Sequence, residues 1–202
     1  MVTVALLQGA ALALPAVVQP GPLQAFLLSR SVAQGWRRTL PAAFAPLLTD
    51  GPILVVVLLV LTQFPPLALR VIGGLGGVFL LYLAVQALRG ARRAAPVEVD
   101  AAAGRRSLRD GIVVNLLNPL PYIFWSTVAG PLFLEARDHS AWAAGAFLLG
   151  FYGLFVTGLS VTIVVFASIG RIGVGVARTL GLIAAIALAV FGMFQIVRAL
   201  SG

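Results

Sequence analysis

The chain has 202 residues, 60% of them hydrophobic and 10% charged, with a formal net charge of +8. That apolar content excludes a water-soluble globular domain and places the chain among membrane proteins. Cysteine is absent, which excludes disulfides, thiolate metal sites and thiol redox chemistry; all fourteen cations are arginines scattered over short segments, without the contiguous basic face that nucleic-acid binding requires.

A hydrocarbon core of about 30 Å takes about 20 helical residues, and six apolar stretches of that order follow one another, near 4–29, 39–62, 67–88, 108–134, 141–169 and 172–200. The first lacks the basic leader of a secretory signal and continues past Pro22, so it reads as an uncleaved span. Pro20-Gly21-Pro22 interrupts it, with Gln19 and Gln24 on either side of the break. In the second span Asp50 stands about eleven residues in, roughly 16 Å deep at 1.5 Å per residue. An aspartate there costs about 2.5–3.5 kcal/mol on insertion scales, which points to a function. The alternative is an aspartate that only braces the backbone near Gly51-Pro52.

The third span opens on Gly73-Gly74 and Gly76-Gly77, where small residues are expected to serve close helix packing. A polar linker, about 90–107, follows. The fourth span carries Asn115 and Asn118 on one helix face, then a second break at Pro119-Leu120-Pro121, then Tyr122. His139 is expected in a short solvated loop. Hydroxyls at Tyr152, Thr157, Ser160 and Thr162 on the fifth span either line a pathway or bond back to their own helix. Gly170, Gly173 and Gly175, around the start of the sixth, are again expected to pack.

A proline inside a helix removes a donor and collides with the carbonyl one turn back, so in lipid such breaks persist only where protein or trapped water satisfies the freed groups. Each break leaves free carbonyls and, on the following half-helix, free N–H groups bearing partial positive charge. A substrate carboxylate can dock at the half-helix starting near Pro22 to Gln24, its ammonium directed at Asp50 or at free carbonyls. Asp50 is the one carboxylate that can exchange a proton within the membrane; Glu98, Asp100, Asp110, Glu135 and Asp138 fall in loops or at span ends. Asn118 serves equally well as a helix cap.

Three spans then three spans, with a break in spans one and four, read as two inverted repeats, about 1–89 and 108–202, forming one transmembrane transporter domain over 1–202. A shift of 99 residues lays Pro20 on Pro119, Pro22 on Pro121, Gly51 on Gly150, Gly74 on Gly173 and Gly76 on Gly175. Eleven arginines fall in the loops after spans one, three and five and three on the other side, so both termini are expected on the non-cytoplasmic side.

Gln19-Pro20-Gly21-Pro22, Ser29-Arg30, Gln34-Gly35-Trp36-Arg37-Arg38, Asp50, Phe79-Leu80-Leu81-Tyr82-Leu83 and Asn115-Leu116-Leu117-Asn118-Pro119 together resemble the LysE/RhtB amino-acid exporter family. The resemblance runs through nearly the whole chain. It implies a six-helix exporter in a bacterial-type inner membrane, driven by the proton motive force, that relieves the cell of amino acids or similar metabolites. It also puts functional residues at Pro20, Gly21, Pro22, Asp50, Asn115, Asn118 and Pro119. Ala45 to Pro52 and Leu23-Gln24 depart from the usual pattern beside the expected site. The expected partners are a small-molecule substrate, protons and membrane lipid, with a homo-oligomer left open. No cofactor, metal site or enzymatic activity is expected. Export of a cation or lipid-like solute, or a non-transporting helper subunit, are the competing readings.

Overall fold

The computed structural model describes residues 1–18, 21–60, 66–92 and 103–201. Among them no strand occurs. In chain order they form α1 (Val2–Val18), α2 (Pro22–Gln34), α3 (Trp36–Thr39), a 3-10 turn (Leu40–Phe44), α4 (Ala45–Val60), α5 (Pro66–Arg92), α6 (Ala103–Leu116), α7 (Pro119–Phe124), a π-helical turn (Trp125–Ala129), α8 (Gly130–His139), α9 (Ala141–Gly170) and α10 (Val174–Ser201).

Trp36–Val57, Ala141–Gly170 and Arg178–Ser201 are each long and apolar enough to cross a bilayer. Two further spans arise if α1 with α2, and α6 with Pro119–His139, each count as one helix bent at its break, by 64° and 55°. The expected third span falls within α5, where Gly74–Arg89 is an apolar stretch. Gln19, Pro20 and the centre of the expected linker, 93–102, lie outside the described residues. His139 ends α8 instead of sitting in a loop, because Ser140 takes the N-cap of α9 by accepting from Ala143 N at 3.1 Å.

Both breaks restart on proline. Pro22 and Pro119 occupy the first turns of α2 and α7, where a missing N–H costs nothing and φ is already helical. A third proline produces the π-helical turn: Pro131 offers no donor to the carbonyl of residue 127 and its ring would strike it. The backbone widens instead, and Gly130 N–H reaches Trp125 O, five residues back. A Cβ at Gly130 would lie 2.2 Å from that oxygen, so the turn requires glycine.

Lipid offers helices no hydrophobic reward for associating, so close backbone contact through small residues holds them together. Gly9 and Gly150 let α1 lie directly on α9; a Cβ on Gly150 would stand 2.0 Å from Leu6 O. Gly77 and Gly192 do the same for α5 and α10. Gly173 and Gly175 have open space where a Cβ would be, so packing does not account for those two. Helix α2 lies among α5, α6, α9 and α10 and buries Phe26 and Leu27. Outward-facing positions are apolar, such as Leu149 on α9 at 67% exposure and Ile186 on α10 at 63%, a surface suited to acyl chains rather than water.

Candidate functional site

Asp50 is 4% exposed and faces neighbouring helices, not lipid. Asn115 on α6 donates through Nδ2 to Asp50 Oδ1 at 2.9 Å and to Thr49 Oγ1 at 2.6 Å. Trp125 in the π-helical turn donates through Nε1 to Asp50 Oδ2 at 3.2 Å. The Thr49 hydroxyl lies 3.4 Å from Oδ1 while donating to Ala45 O at 3.0 Å, and the Tyr152 hydroxyl on α9 is a further partner. One carboxylate thus joins α4, α6, the π-helical turn and α9. These side-chain partners are what a deeply buried acid requires, and apart from the neighbouring Thr49 they come from other elements of the fold.

The two breaks open toward this acid. A cavity of about 400 Å³ is lined by Pro15 and Ala16 before the first break, Gly21 to Gln24 after it, Asp50, Asn115 and Asn118, and residues of α7, the π-helical turn and α9. The freed carbonyls are answered locally. Gln24 Nε2 donates to Ala16 O at 3.1 Å and lies 3.4 Å from Val17 O; Tyr122 Oη donates to Leu116 O at 2.9 Å. The N-termini of the two restarting helices differ. Asn118 caps α7 by accepting from Leu120 N at 3.2 Å, whereas Gly21 gives α2 no side-chain cap.

Beyond the cavity, toward the arginine-rich end, α2 and α6 are tied together. Arg30 Nη2 and Asp110 Oδ2 are 2.5 Å apart, and Arg109 adds contacts to Asp110 Oδ1 at 3.1 and 3.2 Å. Gln34 hydrogen-bonds Ser107 one turn further on. Asp110, expected at a span end, is therefore a buried helix residue in an ion pair. On the other side of the breaks, α1 lies on α9 and makes at most marginal contact with α7 and α8. The cavity occupies the gap, with Leu120, Thr127 and Val128 at its exposed rim.

Of the residues singled out from sequence, Asp50, Gly21, Pro22, Gln24, Asn115 and Asn118 share the cavity wall, while Pro119 and Tyr122 are not part of it. Gln19 and Pro20 lie outside the described residues. Ser160 and Thr162 bond back to Val156 O and Gly158 O. Sequence reasoning passed over Thr49 and Trp125 and left Tyr152 undecided. Pro131 was the available signal for Trp125, since a proline downstream of an apolar turn forces the local rewinding that turns this indole toward α4.

The family model described as LysE type translocator matches residues 14–198 of the chain. No curated protein and no solved structure matches it.

Proposed function

The chain belongs to the LysE type translocator family, a family of membrane transporters and not of enzymes, and from that premise we propose that it exports an amino acid or related zwitterion in exchange for protons. In this reading six spans form two inverted repeats, and the protein resides in a bacterial-type inner membrane with both termini on the non-cytoplasmic side. The observation that carries the reading is the shared cavity: Asp50 and residues from both helix breaks line one space.

The substrate carboxylate docks at the N-terminus of α2, which Gly21 leaves without a side-chain cap and where backbone N–H groups and the helix dipole favour an anion. The ammonium group turns toward Asp50 and the carbonyl oxygen of the Asn115 amide. A proton arriving on Asp50 adds an O–H that needs an acceptor of its own and takes the charge from the bonds made by Asn115, Trp125 and Tyr152, so the packing of these donors around it changes. Trp125 also lines the cavity, and protonation therefore changes the space the substrate occupies. Alternating access is the exchange of two contacts. The α2–α6 contact, fastened by Arg30 and Asp110, seals the arginine-rich cytoplasmic side, while the gap between α1 and the α7–α8 arm opens the other.

Asp50→Asn keeps the size and most of the hydrogen bonding of the side chain but cannot carry the proton. In proteoliposomes this variant should remain folded and lose pH-gradient-driven efflux by at least a hundredfold. Undiminished coupled efflux would refute the proton role.

A further inference from the structure

Resting on that exporter reading, we infer that the transported amino acids are those with a large, uncharged, apolar side chain. The polar atoms of the cavity wall are few and largely committed. Asp50 accepts from Asn115 and Trp125, the Asn115 amide nitrogen serves Thr49 as well, and the Asn118 oxygen caps α7. The Gln24 amide nitrogen is spent on the carbonyls before the first break, and the Thr127 hydroxyl donates to Ile123 O at 2.7 Å. Among the described lining residues there is no arginine and no second acid.

What remains of the wall is hydrocarbon, and much of it is aromatic. Phe124 stacks on Phe151 at 5.6 Å, Trp125 meets the same ring edge-on at 5.6 Å, and Phe155 follows at 5.5 Å. These rings come from α7, the π-helical turn and α9, with Leu23 of α2 also on the wall. A zwitterion anchored between the α2 N-terminus and Asp50 lays its side chain on this surface. A second charge there would be stripped of water with no counter-charge to meet it. A small polar side chain would leave the aromatic wall unfilled, because binding in such a space comes from apolar contact with a few polar groups fixing orientation.

The test is efflux from proteoliposomes of the full chain, preloaded in separate batches with leucine, phenylalanine, serine, lysine or glutamate, under an imposed pH gradient. Leucine and phenylalanine are expected to leave at least tenfold faster than lysine and glutamate, with serine between. Phe155→Ala should raise the half-saturation concentration for phenylalanine about tenfold while leaving that for serine within twofold; Phe155→Leu, the milder change, should move it in the same direction by less. Lysine or glutamate efflux equal to that of leucine would overturn the side-chain inference and leave the exporter reading standing. Efflux of none of the five would overturn both.

Discussion

The two helix breaks are built from the same sequence device and end in different states. Each restarts on a proline, and each has its freed carbonyls answered by a side chain from the following half-helix, Gln24 at the first and Tyr122 at the second. The N-termini diverge: α7 is capped by Asn118, and α2 begins at Gly21 with no side-chain cap. A capped N-terminus has spent part of its binding capacity on its own stability, and an uncapped one facing a cavity keeps it for a ligand. The same asymmetry separates the two sides of the breaks, one fastened by an ion pair and the other parted by a cavity.

The fastened side offers the largest expected effect. Arg30→Ala removes the main partner of a buried carboxylate. A fully buried pair broken in this way costs about 3–5 kcal/mol, but Arg109 remains on Asp110 and the Arg30 side chain is 22% exposed, so about 2 kcal/mol is expected in thermal or denaturant unfolding. The natural chain has no cysteine, so a single cysteine at Ser107 can report directly. It should be protected from a water-soluble maleimide in the parent and react severalfold faster when Arg30 is removed. Restored protection in the Arg30→Asp, Asp110→Arg double variant would assign the effect to the pair rather than to a lost side chain.

Gly21→Ser would erase the difference between the breaks by giving α2 a cap. The backbone at Gly21 is extended, with φ −165° and ψ 179°, a conformation that serine adopts without strain. Its hydroxyl should occupy N–H groups the substrate needs, raising the half-saturation concentration about tenfold while stability changes by only a few tenths of a kcal/mol. An unchanged half-saturation concentration would remove α2 from the substrate site. Asn118→Ala is the converse and should lower stability by about 1 kcal/mol, with a smaller effect on substrate affinity. Tyr122→Phe deletes one hydrogen bond to a freed carbonyl and should cost about 0.5–1 kcal/mol, the smallest change of the series; an effect on transport larger than on stability would give Tyr122 a role beyond closing the break.

Local chemistry made much of this legible. Apolar runs of bilayer length, prolines that cannot sit inside a helix, and an acid far from any loop are each readable from a few neighbouring residues. Where the reading fell short, the cause lay in distance along the chain. The proline after Asn118 marked it as a possible cap, and it does cap its own helix, but nothing beside Asn115 told that it would bond an acid 65 residues away. Tyr152 looked like Ser160 and Thr162, which bond back to their own helix, because a hydroxyl gives no sign of which neighbour it will meet.

The sequence by itself determined that the chain is helical and made for a membrane, where two of its helices break, and that Asp50 would be buried, since hydropathy and proline stereochemistry act within a turn or two of the residue concerned. Only the tertiary structure decided that Trp125, 75 residues from Asp50, would share its carboxylate, that Arg30 would find Asp110, and that both breaks would border one cavity. Those outcomes depend on how helices cross, and the crossings are set by glycines such as Gly9 and Gly150 that admit one backbone against another and carry no mark in the sequence of which helix they will admit.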